Sequence, residues 1–155
     1  MEKHPFYLAQ LNIARLKAPL DSPQIAGFVS QLESIYKVAE SAEGFVWRLK
    51  ADESAFGISP SGDSQLVVTM SVWESFEALQ SYVYRSAHQD PLRSRAEWFE
   101  KMDGPNLVLW WIPSDTLPRV EQGMARLKYL KRHGPTAFAF TFKDSFPPPE
   151  ESKAV

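Results

Sequence analysis

The chain has 155 residues, a formal net charge of −2 at pH 7 and no cysteine, and these values exclude several protein classes. The length suits a single domain with one core. The charge gives no general attraction to nucleic acid or to an anionic membrane. The lack of cysteine rules out disulfides, thiolate metal sites and thiol catalysis, and it fits a reducing compartment. We therefore expect a cytoplasmic protein without nucleic-acid or membrane partners.

The first two predicted elements are a strand and a helix. Residues 6–13 alternate with a period of two, which predicts a strand with an apolar row formed by Tyr7, Ala9, Leu11 and Ile13. Asp21 or Ser22 is the expected N-cap of a helix with Pro23 at its first position. Apolar residues at helical spacing continue this helix to residue 39.

Two predicted strands follow, with a long loop between them. Residues 45–49 indicate a short strand with Phe45, Trp47 and Leu49 on one side. Residues 50–64 are polar and aperiodic, which is typical of an exposed loop that is either flexible or a lid. Residues 65–73 predict a strand with one fully apolar face, formed by Leu66, Val68, Met70 and Val72.

The second half of the chain predicts more helices and strands. Ser75 is the expected cap of one helix, and a second helical piece begins at Asp90 and Pro91, after a bend beside His88. Residues 106–112 are apolar on both faces, as in a strand covered on both sides. A last helix begins near Pro118 and ends at residues 133–135. A short strand with alternating Phe follows, and residues 143–155 predict a disordered tail.

The element order predicts an α+β fold of the ferredoxin-like type, β-α-β-β-α-β, with an added C-terminal helix and strand in one domain over residues 1–142. One helical layer covers one face of such a sheet, whereas several strands carry apolar rows on both sides. We therefore expect a second copy of the chain to cover the other face, sheet against sheet, in a homodimer. The rows 7–13 and 66–72 would lie against that partner.

A resemblance to a known superfamily supports this fold. The segment SVWESFEALQSYVYRSAH (71–88) resembles the strand-to-helix junction of antibiotic biosynthesis monooxygenase-like dimeric α+β barrels. With GFVWRL, LVLWW and RHGPT, the chain from residue 6 to 142 is similar to an uncharacterised bacterial family, a domain of unknown function in that superfamily. The resemblance implies the barrel fold but does not select an activity, because the superfamily contains oxygenases, dehydratases and heme enzymes.

The resemblance also implies site residues. In the heme-degrading members, a strand Asn, a Trp at a strand end and a helical His that ligates iron have counterparts by position in Asn12, Trp73 and His88. Heme is therefore one cofactor hypothesis, with His88 as its ligand. The other is that the protein uses no cofactor and no metal.

Strand alternation gives site candidates independently of the resemblance. If the apolar rows face a partner, then Gln10, Asn12, Thr69, Ser71 and Trp73 face the helices. Buried amides and hydroxyls need hydrogen-bond partners, so this layer holds either a polar network or a wet pocket. The alternative is that Asn12 only bonds a loop backbone.

The segment around residue 88 adds further candidates. His88 suits a general acid or base, an axial ligand or a structural residue at a helix bend, and Tyr84 lies one helical turn before it. Arg85 and Arg93 suit a substrate carboxylate or phosphate, or else a solvated helix face. Trp47 and Trp73 suit either the walls of a cavity or core packing.

These observations predict a small-molecule-binding protein, a monooxygenase-like or related enzyme with an aromatic or polyketide-like substrate, either cofactor-independent or heme-dependent. The expected catalytic residues are His88, Asn12 and Tyr84. The expected substrate-binding residues are Trp47, Thr69, Ser71, Trp73, Arg85 and Arg93. The alternative is a non-catalytic ligand-binding or heme-binding protein of the same fold.

Overall fold

The computed structural model describes residues 5–18, 22–27, 37–49, 66–89, 100 and 106–149, and for residues 85–89 it describes only the backbone. Within these residues, four strands form one antiparallel sheet: β1 (Phe6–Arg15), β2 (Phe45–Arg48), β3 (Leu66–Trp73) and β4 (Leu107–Pro113). The helices are α1 (Phe76–Gln89) and α2 (Val120–His133). The strand order is β2-β3-β1-β4, which confirms the predicted ferredoxin-like arrangement.

Two helical segments begin at the N-cap residues that the sequence predicts. Ser22 Oγ accepts a hydrogen bond from the backbone N–H of Gln24 at 3.1 Å, and a 3₁₀ turn follows at Pro23–Ile25. Residues 26–27 and 37–40 are helical, at the two ends of the helix predicted after β1. Ser75 Oγ accepts from the N–H of Ala78 at 3.1 Å and caps α1. The predicted loop 50–64 and the helical piece from Asp90 lie outside the described residues.

One face of the sheet packs against α1. Leu79 of α1 is buried against a cluster that contains Leu8 and Trp73, and Phe76 and Tyr82 pack against the same cluster. These three α1 residues recur every three positions, so they share one side of the helix. The helix-facing side of β1 and β3 is therefore the side of Leu8 and Trp73, as strand alternation predicts.

On the opposite face of the sheet, the structure contradicts the expectation that a second copy of the chain covers it. The row of Leu11 and Trp110 packs against α2, whose buried residues are Gly123, Leu127 and Leu130. The rows at 7–13 and 66–72 lie on this side, and Val68 and Val72 are also buried within one chain. The prediction failed here because it counted one helical layer and gave the C-terminal helix no sheet face to cover. The homodimer itself stays a prediction.

A β-bulge in β2 places Trp47 on a different face of the sheet from Phe45, whereas the sequence predicted both on one side. Phe45 pairs with Trp73 while Trp47 pairs with Val72, so an extra residue, Val46, lies between the two pairs. The extra residue turns Trp47 to the α2 side and leaves Phe45 on the α1 side. The sequence prediction placed both rings on one side because a period of two assumes an unbroken ladder.

The segment after α2 forms a tight turn and two isolated bridges where a strand was predicted. Gly134, at φ 80°, ends the helix, and Thr136 and Ala139 bond each other across a tight turn. Phe140 then pairs with Leu109 at the edge of β4. The turn holds Phe138 over α2, where the Arg126 guanidinium lies 4.0 Å from its ring and burial lowers the pKa of Arg126.

The predicted disordered tail differs from the structure over residues 143–149. Trp111 Nε1 donates to the Phe146 carbonyl at 2.9 Å, and the Phe146 ring lies 5.8 Å from that of Phe140. One aromatic side chain in a polar, proline-rich segment anchors it to the core. Residues 150–155 lie outside the described part of the chain, and for them disorder stays a prediction.

α2 approaches the sheet closely at Gly123, and this contact gives a stability prediction. A Cβ at this position would lie 2.5 Å from Leu11 Cδ1 and 3.1 Å from Trp110 Cη2, both in buried side chains. We expect Gly123→Ala to lower the free energy of unfolding by about 1–3 kcal/mol through overpacking, although Ala is the better helix former. Chemical denaturation measures this, with Lys128→Ala on the exposed side of α2 as control. A stabilised Gly123→Ala variant would contradict this packing.

Candidate functional site

The candidate site is a polar strip on the helix-facing side of β1 and β3. Gln10 pairs with Ser71, and Asn12 pairs with Thr69 in the adjacent register position. Cross-strand partners point to the same side of a sheet, and so do residues two apart in one strand. The four side chains therefore form one patch on the side that faces α1, which we call the polar strip (Gln10, Asn12, Thr69 and Ser71).

Ser71 is the centre of the polar strip. Its Oγ accepts a hydrogen bond from Gln10 Nε2 at 2.9 Å and a second from Trp73 Nε1 at 2.8 Å. Gln10 is 9% exposed and Ser71 is 8% exposed, so both bonds form out of water. A hydroxyl has two lone pairs and one hydrogen, so the two donors occupy its accepting capacity and leave its O–H to donate.

The hydrogen bonding of the Gln10–Ser71 pair is incomplete within the described residues. No described donor reaches the Gln10 Oε1, and no described acceptor receives the Ser71 O–H. Buried polar atoms of this kind are normally satisfied by protein, water or ligand. The Gln10 Oε1 acceptor, the Ser71 O–H donor and the second Gln10 Nε2–H are therefore available on a largely buried sheet surface.

Aromatic rings close the strip at one end. The Trp73 ring stacks on that of Tyr82 from α1 with centroids 4.9 Å apart, and Phe45 meets Trp73 edge-on at 5.4 Å. Trp73 and Leu8 are fully buried, so this end is dry and packed. At the other end Asn12 and Thr69 are half-buried. The strip therefore runs from an aromatic wall toward a more open end.

Arg48 is a residue of this region that sequence reasoning missed. It pairs with Ser71 across β2 and β3, so Arg48, Ser71 and Gln10 form a row over three strands. Arg48 Nε lies 2.7 Å from Glu40 Oε2, and its side chain is only 16% exposed. The bulge at Val46 puts this arginine on the α1 side, and no period-two pattern reveals that shift.

The structure separates two other predicted site residues from the strip. Tyr84 is 66% exposed, and Tyr82, two positions earlier, packs against Trp73 instead. Two residues on a helix are about 200° apart, so both cannot face the sheet. Trp47 lies on the α2 side of the sheet and shares no cavity wall with Trp73. The roles proposed for these residues therefore lose their expected geometry.

The remaining predicted residues lie outside what the structure describes. Residues 85–89 are helical, but the side chains of Arg85 and His88 are not described, and neither is Arg93. Iron ligation by His88 and substrate binding by the two arginines therefore stay predictions. In the described part of the chain, no group of three or more His, Asp or Glu side chains is placed to hold a metal ion.

One protein-family profile matches the chain and identifies its family. The family described as "Domain of unknown function (DUF3291)" matches residues 7–154, which is nearly the whole chain. The chain belongs to this family. No curated protein matches it. The predicted recognition of an uncharacterised domain family is thereby confirmed.

Three solved structures are similar to this DUF3291 chain at low identity. A protein of Chloroflexus aurantiacus J-10-fl that carries the name of an antibiotic biosynthesis monooxygenase is 15% identical, with TM-score 0.45 over 74% of this chain and 98% of that one. The NE2512 protein of unknown function from Nitrosomonas europaea is 15% identical, with TM-score 0.47 over 75% and 98%. The ActVA-Orf6 monooxygenase of Streptomyces coelicolor, in complex with nanaomycin D, is 16% identical, with TM-score 0.43 over 75% and 95%. Likenesses at this level carry no activity or substrate to the DUF3291 chain.

Ser71→Ala tests whether the hydroxyl holds the polar strip together. The change leaves two buried donors, on Gln10 and Trp73, without their acceptor, so we expect the free energy of unfolding to fall by about 2–4 kcal/mol. The matched control Ser41→Ala removes an exposed hydroxyl and should cost about 0.5 kcal/mol or less. Adding Gln10→Leu to Ser71→Ala should recover part of the loss, because it removes one orphaned donor. Equal losses from the two serine variants, measured by denaturant unfolding, would refute this role.

Proposed function

We propose that this DUF3291 protein binds a small, largely apolar molecule with at least one polar group, in the layer between α1 and the sheet. The observation that supports this is the polar strip, because at the same level of the sheet the other face of these two strands is apolar, with Ala9, Leu11 and Ile13 on β1 and alternate residues from Leu66 to Val72 on β3. A structural core gains nothing from a buried Gln and Ser with incomplete hydrogen bonding, since unpaired polar groups cost free energy. A ligand group that completes those hydrogen bonds would explain why Gln10 and Ser71 are buried there.

The chemistry of the strip restricts the ligand. Gln10 Oε1 accepts a hydrogen bond and the Ser71 O–H donates one, which fits a hydroxyl or carbonyl on the ligand. At the closed end of the strip Trp73 is fully buried and already stacked on Tyr82, so the half-buried Tyr82 is the part of this aromatic wall that an aromatic ligand would contact. The guanidinium of Arg48 in the same row is already paired with Glu40, so it adds no preference for a charged ligand. A phenolic or quinone-like aromatic compound meets the hydrogen-bonding and the aromatic requirement.

Oxygenation of such a compound is the catalytic form of this proposal. Of the three residues predicted to be catalytic, Asn12 lies in the polar strip and Tyr84 points away from it, while the side chain of His88 is not described. Without a cofactor, the substrate itself must form a carbanion that reacts with oxygen; with heme, His88 would hold the iron. Oxygen consumption with a bound compound, in the presence and absence of added hemin, distinguishes the enzyme from the ligand-binding alternative.

A pair of probe compounds tests ligand binding. We expect 2-naphthol to raise the Tm of the protein more than naphthalene does, because a ligand of the folded state stabilises it and the hydroxyl adds a hydrogen bond to the strip. Gln10→Met should weaken 2-naphthol binding by about five- to tenfold, the value of one hydrogen bond. Gln24→Met, the same change at an exposed position, should leave the affinity unchanged. Equal effects of the two substitutions in thermal-shift titrations would overturn the proposal.

We also propose that the protein is a homodimer and that it is located in the cytoplasm. In the described residues, no helix is long and apolar enough to cross a membrane. We propose the dimer from the resemblance to dimeric α+β barrels, although α2 already covers part of the face expected to form the interface. Light scattering at low micromolar concentration should then give twice the 17.6 kDa chain mass. A folded species of 17.6 kDa would refute the dimer and leave the ligand proposal standing.

A further inference from the structure

A second concave surface lies at the other end of the α1 side, away from the polar strip. It is a groove of about 480 Å³, lined by four half-buried aromatic side chains and by the prolines 147–149. The aromatic residues are Phe6, Phe76, Trp111 and Phe146. Small-molecule sites have volumes of about 300–1,000 Å³ and mostly apolar walls, and this groove meets both conditions.

The tail builds one wall of this groove. The hydrogen bond from Trp111 Nε1 to the Phe146 carbonyl, at 2.9 Å, ties the tail to β4. The Phe76 and Phe142 rings, 5.7 Å apart, join α1 to the same segment. The groove therefore lies between fixed aromatic surfaces of α1, β4 and the tail.

The groove is distinct from the polar strip. Phe6 at the groove and Gln10 in the strip are four residues apart on β1, which corresponds to about 13 Å. Leu8 and Trp73, both fully buried, lie between them. A molecule in one location therefore does not reach the other without displacing the core.

The charged side chains among the described residues that line the groove are both carboxylates. Glu74 and Glu77 line it and are exposed, and neither carboxylate forms an ion pair or a side-chain hydrogen bond in the described residues. Among the described residues that line the groove there is no Lys, Arg or His. Aromatic faces attract cations through the ring quadrupole, and nearby carboxylates add a Coulomb attraction. Apolar walls with this charge are complementary to an organic cation.

We propose that this groove binds a small organic cation, an alkylated or aryl-substituted ammonium whose apolar part lies against Trp111 and Phe146 and whose charge faces Glu74 and Glu77. The site is independent of the ligand layer of the proposed function. It adds a second ligand class, a cation, to the same side of the sheet as the uncharged polar strip.

Titration of the protein with benzyltrimethylammonium, followed by the indole N–H signals in ¹⁵N-resolved NMR, tests this proposal. The Trp111 signal, identified by its loss in Trp111→Phe, should shift saturably, while the Trp73 signal should not move. Glu74→Gln/Glu77→Gln should weaken binding by about five- to tenfold, given the modest strength of exposed charge interactions. Glu121→Gln, in the first turn of α2, is the matched control and should not change the affinity.

Three results would overturn the cation site. They are an unmoved Trp111 signal at millimolar ligand, equal affinity for the anion phenylacetate, and an unchanged affinity in the double glutamine variant. The indole signals also separate the two proposals. Failure of the cation site appears at Trp111, whereas failure of the ligand layer appears as no 2-naphthol response at Trp73.

Discussion

The helix-facing side of the sheet depends on the Ser71 hydroxyl, whose oxygen accepts hydrogen bonds from Gln10 on β1 and from Trp73 on its own strand. These bonds form where water is excluded, so each one is costly to lose. The bond to Trp73 fixes the indole against which Tyr82 of α1 stacks. One small polar side chain thereby sets the position of an aromatic wall, the contact with α1 and the orientation of the Gln10 amide.

The two faces of the sheet have different physical functions. The α2 face is a continuous apolar core, and Gly123 lets the helix approach Leu11 and Trp110 closely. Overpacking or an added polar group there would only destabilise the fold. The α1 face combines an aromatic cluster with polar groups whose hydrogen bonds are incomplete in the described part of the chain, which is the composition of a binding surface. Both faces therefore contribute to stability, and the chemistry that we propose lies on the α1 face.

Period-two alternation was sufficient to predict β1 and β3 and the side to which Gln10, Asn12, Thr69 and Ser71 point, because these two strands are regular throughout their pairing. It failed at β2, where a single bulged residue changes the faces of Trp47 and Arg48. Tyr84 was predicted from its spacing to His88, one helical turn away, but it is 66% exposed and Tyr82 is the ring that meets Trp73. The packing of α2 and of Phe146 depends on contacts distant in sequence, which local patterns do not encode.

The central claim is that a ligand contacts the polar strip on the α1 side of the sheet. Intermolecular nuclear Overhauser effects between bound 2-naphthol and the protein test it most directly. Contacts from the naphthol ring to the Thr69 methyl group and to the Tyr82 ring are the predicted result. Contacts confined to methyl groups on the other face, such as those of Ile13 and Leu127, would contradict it, because both residues belong to the α2 side.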